Sequence, residues 1–266
     1  MKEIQSLDEL KEIELGIMKK VHRICEENKI TYYLCFGTLL GAVRHKGFIP
    51  WDDDIDIYMK RRDYQRFIKL FQDNTSKYAE DGIELVNYST PKYYGRIISK
   101  VIDTNTILRE TEYKTDDDIG VFVDIWPLDG TPNNRLYRKI YIAYARFLKK
   151  LLLAASMNNS REYPVIKRVL IKAASYFDPK EILFQLDKTA KKYAPENSDY
   201  LASYNDLTNV YNVNDFRRRI LMPFEDTEFW APANYDSLLR ADFDDYMKLP
   251  PESERKPHHV FNASYK

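Results

Sequence analysis

Four aspartates, Asp52, Asp53, Asp54 and Asp56, place four carboxylates within five positions of the chain. Like charges this close repel one another unless a cation or a strong local field neutralises them. Asp54 and Asp56 alternate with isoleucines, and residues two apart on a strand point to the same face. We therefore predict that both carboxylates point into one cleft and bind a hard divalent cation, Mg²⁺ or alternatively Mn²⁺, beside substrate phosphates.

Two other interpretations of this acidic stretch fit less well. A solvated loop is the usual setting of clustered aspartates, but apolar neighbours such as Ile49 and Trp51 argue against it. An EF-hand loop that begins at Asp52 needs glycine at its sixth position and glutamate at its twelfth. Ile57 and Asp63 occupy those positions, which excludes an EF-hand.

Two further charged residues lie in apolar patterns. Asp124 interrupts the apolar run at 121–126, and a buried carboxylate is costly unless it is paired or bound to metal. We predict that Asp124 is the third metal ligand; the alternative is a structural aspartate bonded to backbone or arginine. Asp52 is a candidate outer ligand or else a solvated turn acid. Lys100 is a candidate phosphate-binding residue or else the partner of an acid.

A small-residue turn at Gly37 and Thr38 precedes the acidic stretch. Glycine lets backbone approach a ligand closely, and neighbouring N–H groups can hold a phosphate. We predict that both residues bind phosphate, together with Lys46. Arg44 and His45 are catalytic candidates that would neutralise developing charge, the alternative being a basic run on the surface.

The apolar periodicities predict the elements that position these residues. Ser6 and Glu9 form a capping-box pattern, which marks the start of the first helix. We predict helices at about 7–28, 39–44, 63–74, 134–157, 165–177 and 182–193. We predict strands at about 32–36, 54–58, 83–88, 96–102 and 106–108, and a C-terminal part of short strands and turns.

The composition describes a folded globular protein of 266 residues with 44% hydrophobic residues and 41 residues of each charge sign. This balance points to no nucleic-acid partner. Cys25 and Cys35 are too few for a disulfide framework or a four-cysteine zinc site. The sequence opens on an acidic amphipathic segment and contains no run of about 18 apolar residues. We therefore predict a cytoplasmic protein.

The charge is unevenly spread along the chain. Residues 134–192 carry 14 basic and 4 acidic residues, a balance of +10, interleaved with tyrosine and leucine. Basic amphipathic helices can lie on an anionic membrane. They can also be ordinary core helices with a solvated basic face. The first interpretation predicts peripheral contact with the inner face of the membrane.

The residues of several motifs resemble the motifs of the LicD family. This family is a branch of the nucleotidyltransferase-fold superfamily and is related to fukutin-related proteins. The resemblance lies in Gly37-Thr38-Leu39-Leu40-Gly41-Ala42-Val43-Arg44-His45, Phe48-Ile49-Pro50-Trp51-Asp52-Asp53-Asp54-Ile55-Asp56 and Val123-Asp124-Ile125-Trp126-Pro127-Leu128-Asp129. A weaker motif is Tyr246-Met247-Lys248-Leu249-Pro250-Pro251, followed by Arg255 and His258-His259. One departure is Ala241-Asp242, where the family pattern has Gly-Asp in a turn.

The resemblance implies an α+β fold with a nucleotidyltransferase-like mixed β-sheet core flanked by helices. We expect a catalytic core at 1–133, an inserted helical basic region at 134–192, and a C-terminal part at 193–266 that completes the cleft.

The resemblance also implies a metal-dependent phosphotransferase. It would move phosphocholine from CDP-choline to a sugar hydroxyl of a lipid-linked cell-surface glycan, such as teichoic acid or lipopolysaccharide, and release CMP. Alternatives are a ribitol-phosphate or glycerol-phosphate donor, or transfer of NMP from an NTP to a small molecule. A choline head group is commonly held against aromatic faces; Trp51, Trp126, Trp230 and the Tyr93-Tyr94 pair are available.

Overall fold

The computed structural model of the chain describes residues 2–90, 95–109, 119–157, 163–257 and 262–266. Its helices are α1 Leu7–Asn28, α2 Phe36–Arg44, α3 Arg61–Asp73, α4 Thr75–Glu80, α5 Arg135–Ser156, α6 Val165–Ala174, α7 Pro179–Ala190 and α8 Tyr235–Phe243. Its strands are β1 Tyr33–Leu34, β2 Asp56–Lys60, β3 Ile83–Val86, β4 Ser99–Asp103, β5 Thr106–Arg109, β6 Phe122–Gly130, β7 Tyr200–Ala202, β8 Tyr211–Asn212, β9 Arg219–Phe224, β10 Thr227–Pro232 and β11 Asn262–Tyr265.

The central sheet has the strand order β1-β2-β6-β4-β3, and β7 pairs with the end of β6 and with β8. Strand β2 runs parallel to β6, whereas β4 runs antiparallel to it. Two further two-stranded sheets form from β9 with β10 and from β5 with β11. This mixed sheet with flanking helices confirms the predicted α+β class.

Helix α1 confirms the first predicted helix at both ends. The Ser6 hydroxyl accepts a hydrogen bond of 3.1 Å from the Glu9 N–H, and the helix ends at Lys29 in the left-handed conformation. Leucine, isoleucine and valine cover one face, which packs on β4 and β6. Lys11 and Glu14 are also buried on this helix.

Several predicted boundaries were wrong. The strand expected at 54–58 begins at Asp56, so Asp54 lies in the preceding loop. Helix α2 begins at Phe36, so Gly37 and Thr38 belong to its first turn and form no separate turn before it. Helix α7 begins earlier than predicted, because Asp178 caps its N-terminus and Pro179 fits the first helical position.

The basic helices α5 and α7 build a second hydrophobic cluster with Ala174 of α6. Ile97, Ala202, Tyr204 and Leu207 from the rest of the chain complete this cluster. The proposed division at residues 133 and 192 stays a prediction. Across the described ranges of the chain, every helix is too short or too polar to cross a membrane.

The departure from the family pattern at Ala241 and Asp242 falls inside α8, where there is no turn. The turn lies at Asp244, which has φ 55° and ψ −106°. Our expectation about the local turn was therefore misplaced: the residue that adopts a conformation favoured by glycine is Asp244.

Candidate active site

The predicted carboxylates Asp56 and Asp124 meet on the central sheet. They lie opposite each other where β2 pairs with β6 in parallel. The Asp56 N–H donates 2.8 Å to the Thr38 hydroxyl, and the Asp124 N–H donates 2.9 Å to the carbonyl of Ile55. These bonds attach the acidic loop to α2 on one side and to β6 on the other.

The surroundings of Asp56 disfavour the ionised form of its carboxyl group. Its Oδ1 accepts a hydrogen bond of 2.6 Å from the Trp126 indole N–H. Burial, followed by the negative charges of Asp54 and Asp124, raises the pKa of Asp56 well above its usual range, and the Trp126 bond opposes this shift. A bound cation would remove this penalty on the ionised form.

Asp124 is paired with Lys100. The two residues lie opposite each other on β6 and β4, and Lys100 Nζ is 2.8 Å from Asp124 Oδ1. Lys100 is 2% exposed and its ammonium also lies 3.1 Å from the centroid of the Phe122 ring. The pairing with an acid, which the sequence left open for Lys100, is therefore present; phosphate binding by Lys100 stays a prediction.

A second group of carboxylates comes from the loop before β2. One ligand oxygen from each of Asp52, Asp53 and Asp54 lies within 4.8 Å of the others. Asp52 and Asp53 are buried and Asp54 is half-buried. Among the described residues, Asp56 and Asp124 are not part of this group. The structure thus brings Asp52 and Asp54 together, as predicted, and adds Asp53, which we had not chosen.

Gly37 makes room for this group. A Cβ at Gly37 would overlap the Asp52 carboxylate, so only glycine lets that side chain rest on the first turn of α2. Phe36 just before it has φ 47°, an uncommon conformation for an aromatic residue. Its ring packs edge-on against Tyr58 and Trp126. Thr38 is buried and accepts the Asp56 N–H, so its oxygen positions the acidic strand.

The three basic candidates at the C-terminal end of α2 have different surroundings. Arg44 Nη1 donates 2.8 Å to the Tyr246 carbonyl, and burial followed by the charge of Arg255 lowers the pKa of Arg44. His45 lies edge-on to Trp51, and burial followed by Arg44 lowers its pKa. Lys46 is exposed, and its Nζ donates to the Val43 carbonyl at 3.3 Å. The structure brings Arg44 into the site and leaves Lys46 at its edge.

A cavity of about 820 Å³ opens between the N-terminus of α2, the acidic loop and residues 243–254. Its acidic lining residues outnumber its basic ones by six to two. The acids are Asp52, Asp54, Asp56, Asp244, Asp245 and Glu254, and the bases are Arg44 and Lys248. A phosphate would be repelled from such a cavity unless cations bind with it.

The aromatic candidates separate by position. Trp51 lines the cavity and faces the Arg255 guanidinium at 5.6 Å. Trp126 is engaged with Asp56. Trp230 donates to Glu26, beneath the Arg219 guanidinium, and does not line the cavity. Tyr93, Tyr94, His258 and His259 lie outside the described residues.

Sequence reasoning missed two buried charges on α1. Lys11 Nζ donates 3.0 Å to the carbonyl of Ile49 and 2.9 Å to that of Pro50, which holds the start of the acidic loop. Glu14 is 2% exposed, and burial followed by the charges of Asp54 and the adjacent aspartates raises its pKa well above the usual range. The signal was present, since Glu14 lies four residues from Leu10 on the apolar face of α1.

The carboxylate oxygens at this site suit a hard divalent cation. Carboxylate oxygens are the ligands that Mg²⁺ and Mn²⁺ accept, and Glu14 Oε2 is buried without a hydrogen-bond partner in the described part of the chain. The side chains that would hold the cation are those of Asp54 and Asp56, with Asp52 beside them. The identity of the ligands stays a prediction.

Comparison with known proteins points to one family. Residues 29–150 match the family model described as LicD/FKTN/FKRP, nucleotidyltransferase domain. The chain is 34% identical over 263 residues to the lipopolysaccharide cholinephosphotransferase LicD of Haemophilus influenzae, and the match covers 94% of each protein.

Two shorter likenesses involve uncharacterized proteins of Rickettsia typhi and Rickettsia prowazekii. The Rickettsia typhi protein is 46% identical over 54 residues, which cover 20% of this chain and 18% of the length of that protein. The second is 51% identical over 47 residues, covering 18% of each. The likeness to the Haemophilus protein extends over nearly the whole of both chains, and it shows that this chain belongs to the LicD family.

Proposed function

We propose that this protein is a transferase that moves phosphocholine onto a sugar hydroxyl of a cell-surface glycan precursor. The observation that carries the proposal is the 34% identity, along 94% of both chains, to a protein named lipopolysaccharide cholinephosphotransferase. The acidic cavity of about 820 Å³ supports it, because its volume and carboxylates suit a donor bound with a cation.

The proposed donor is CDP-choline. The oxygen of the acceptor hydroxyl would form a bond to the phosphorus that carries choline, while the bond between that phosphorus and the CMP oxygen breaks. The acceptor proton passes to a base, and CMP leaves with the electron pair of the broken bond. Catalysis of such a transfer is mainly positioning and charge stabilisation.

The side chains divide these tasks in the proposal. Asp54 and Asp56, with Asp52, would hold Mg²⁺ or Mn²⁺. A cation bound there neutralises the charge of the donor diphosphate. Asp124, whose carboxylate is balanced by Lys100 at 2.8 Å, orients the acceptor hydroxyl and takes its proton. These assignments rest on two observations: Asp56 lies opposite Asp124 on β2 and β6, and Asp52, Asp54 and Asp56 line the cavity.

Basic and aromatic groups complete the donor site in this proposal. Arg44 lines the cavity and would face the phosphates of the donor. His45, the next residue, would help Arg44 neutralise the charge that develops on phosphate. The backbone of α2 at Gly37 would add N–H groups that bind phosphate. The fixed positive charge of choline would lie against Trp51, the one tryptophan in the cavity lining.

The test is CMP release from CDP-choline in the presence of Mg²⁺, with and without a lipid-linked glycan extract. Release that depends on Mg²⁺, on Asp54 and on the extract supports the proposal. Release only from CDP-ribitol or CDP-glycerol would move the donor to another alcohol phosphate. Pyrophosphate release from an NTP would instead indicate a nucleotidyltransferase, and either result would contradict phosphocholine transfer.

The acceptor is proposed to be lipid-linked and to lie at the inner face of the membrane. Twelve of the seventeen large hydrophobic residues exposed in the described part of the chain fall between Leu136 and Phe184. Helix α6 combines exposed Val165, Ile166 and Val169 with basic neighbours. Exposed apolar and basic side chains on one helix are typical of interfacial helices on anionic lipid.

Arg146 and Lys149 of α5 do not belong to that surface. Both donate hydrogen bonds to carbonyls, those of Leu207 and Asp206, which attaches the basic region to the C-terminal part. The charges offered to lipid are the exposed ones, such as Lys167 and Lys172.

Sedimentation with vesicles tests the membrane contact. We expect the protein to bind vesicles of anionic phosphatidylglycerol and to dissociate from them as the salt concentration rises. It should not bind vesicles of phosphatidylcholine. Ile166→Glu with Val169→Glu should weaken binding at least about tenfold, whereas the control Ile220→Glu with Leu221→Glu, on the exposed part of β9, should not. Equal binding by both double variants would contradict the proposed surface.

A further inference from the structure

Trp126 bonds to a proposed metal ligand, and the proposed mechanism gives this tryptophan no role. Its indole N–H donates to Asp56 Oδ1 at 2.6 Å. Asp56 lies opposite Asp124 in the parallel register of β2 and β6, and Trp126 follows Asp124 by two residues. Residues two apart on a strand share a face of the sheet. The strand register therefore brings the indole within reach of the Asp56 carboxylate.

A second aromatic ring holds the indole in this position. The Phe36 ring packs edge-on against Trp126, with 5.2 Å between the ring centroids, and against Tyr58 at 5.1 Å. Tyr58 lies opposite Trp126 in the same strand register, and Phe36 is the first residue of α2. Edge-to-face contacts of this kind fix the relative orientation of aromatic rings. The indole N–H therefore has a defined direction toward Asp56.

The two facing carboxylates have partners of different charge. Asp124 lies 2.8 Å from the Lys100 ammonium, which balances its negative charge. Asp56 instead accepts from the indole of Trp126, a neutral donor. Stability alone would favour an ammonium or a guanidinium beside a carboxylate as buried as Asp56. A neutral donor orients the carboxylate and leaves its charge available to a cation, whereas a second ammonium would compete with that cation.

We propose that Trp126 is a positioning residue that orients the Asp56 carboxylate for binding a divalent cation. The bond from the indole occupies Oδ1, which leaves Oδ2 for a cation in the cavity that Asp56 lines. Groups that bond to a metal ligand in this way typically contribute about ten- to a hundredfold to metal affinity. The inference rests on the cation dependence of the proposed function and adds a residue that acts through Asp56.

The first test is binding of Mn²⁺ without any donor or acceptor, measured by isothermal titration calorimetry at one fixed pH. Trp126→Phe removes the N–H and keeps an aromatic ring against Phe36. The matched control is Trp230→Phe, which removes an indole N–H that donates 2.8 Å to Glu26 outside the cavity lining. We expect Trp126→Phe to bind Mn²⁺ at least about tenfold more weakly and Trp230→Phe to bind as the wild type does.

A second measurement uses the wild-type protein, so it does not depend on whether Trp126→Phe folds. The chain has three tryptophans, which give three indole N–H signals in a ¹H–¹⁵N spectrum. Trp51→Phe and Trp230→Phe assign these signals by elimination. Paramagnetic broadening falls steeply with distance, so bound Mn²⁺ should remove the Trp126 signal and leave the Trp230 signal sharp. A sharp Trp126 signal at saturating Mn²⁺ would overturn the inference.

The outcomes separate this inference from the proposed function. Wild-type Mn²⁺ affinity in Trp126→Phe, with loss of binding in Asp56→Asn, would overturn the role of Trp126 and leave the proposed function intact. An equal loss of affinity in Trp230→Phe would indicate a general effect on structure and would also overturn that role. Trp126-dependent Mn²⁺ binding without turnover of CDP-choline would support the inference and contradict the proposed donor.

Discussion

Lys100 Nζ lies 2.8 Å from Asp124 Oδ1, and the two side chains face each other across the antiparallel pairing of β4 with β6. Both are buried, so each neutralises a charge that would otherwise be isolated within the sheet. The same Asp124 lies opposite Asp56 on its other side. Lys100 on β4, Asp124 on β6 and Asp56 on β2 thus lie side by side across three strands. Asp124 is the proposed base and Asp56 is a proposed metal ligand.

Lys100→Met should lower the free energy of unfolding by about 3–5 kcal/mol, because it leaves the Asp124 carboxylate buried without its cation. Urea denaturation measures the change. The control Lys69→Met removes an exposed lysine of α3 and should change stability by less than about 0.5 kcal/mol. Adding Asp124→Leu to Lys100→Met should recover part of the loss. Equal stability of the two lysine variants would contradict a structural ion pair.

Asp54→Asn and Asp56→Asn should each lower the rate of phosphocholine transfer by about a thousandfold or more, because each removes a proposed cation ligand. Both variants should stay folded, since asparagine removes charge from a crowded acidic site. CMP release and circular dichroism measure the two properties. The control Asp73→Asn changes an exposed aspartate at the end of α3 and should retain full activity. Retained transfer in Asp56→Asn would remove that residue from the mechanism.

Arg61→Leu should destabilise the fold by about 3–5 kcal/mol. The Arg61 guanidinium donates to both oxygens of Asp129, at 2.6 and 2.5 Å, and to Asp187 at 3.1 Å, which joins α3 to β6 and α7. Removing it leaves two buried carboxylates without this partner. Arg62→Leu, at the exposed neighbouring position, is the control and should have little effect in urea denaturation. Similar midpoints for the two variants would contradict the prediction.

Asp242 should make stability depend on pH. Burial raises the pKa of Asp242 to about 6, against the opposing hydrogen bonds from Tyr211 and Asn209. The folded state therefore holds a proton that the unfolded state releases near pH 4, so the free energy of unfolding should fall by about 2–3 kcal/mol as pH rises from 4 to 6. Denaturant titrations at several pH values measure this fall. Asp242→Asn should flatten the profile between those values; an unchanged profile would contradict the assignment.

Asp244→Gly should stabilise the protein by up to about 1 kcal/mol, because glycine adopts φ 55° without the strain of a Cβ. The Tm reports the gain. Asp245→Gly, at the next position, is the matched control and should give no gain, because Asp245 is absent from the residues with positive φ. A lower Tm for Asp244→Gly than for Asp245→Gly would show that the Asp244 carboxylate matters more than its backbone.

Local patterns in the sequence were enough to predict the extent of α1, and the family resemblance of the motifs was enough to predict the α+β class. The roles of Asp52, Asp54, Asp56 and Asp124 as a shared set of ligands stay predictions. Helix capping, helical periodicity and the residues of a motif all depend on residues that are close together in the sequence. Such signals carry over directly into local structure.

Only the tertiary structure decided which distant charges meet. The pairing of Lys100 with Asp124, the bonds of Arg61 to Asp129, and the bonds of Lys11 to the carbonyls before the acidic loop depend on strand register and helix packing. Asp54 was predicted to lie in a strand but precedes β2, which begins at Asp56, where the backbone N–H bonds to Thr38 of α2. Contacts between residues far apart in sequence depend on how elements pack, and no pattern within one element encodes that packing.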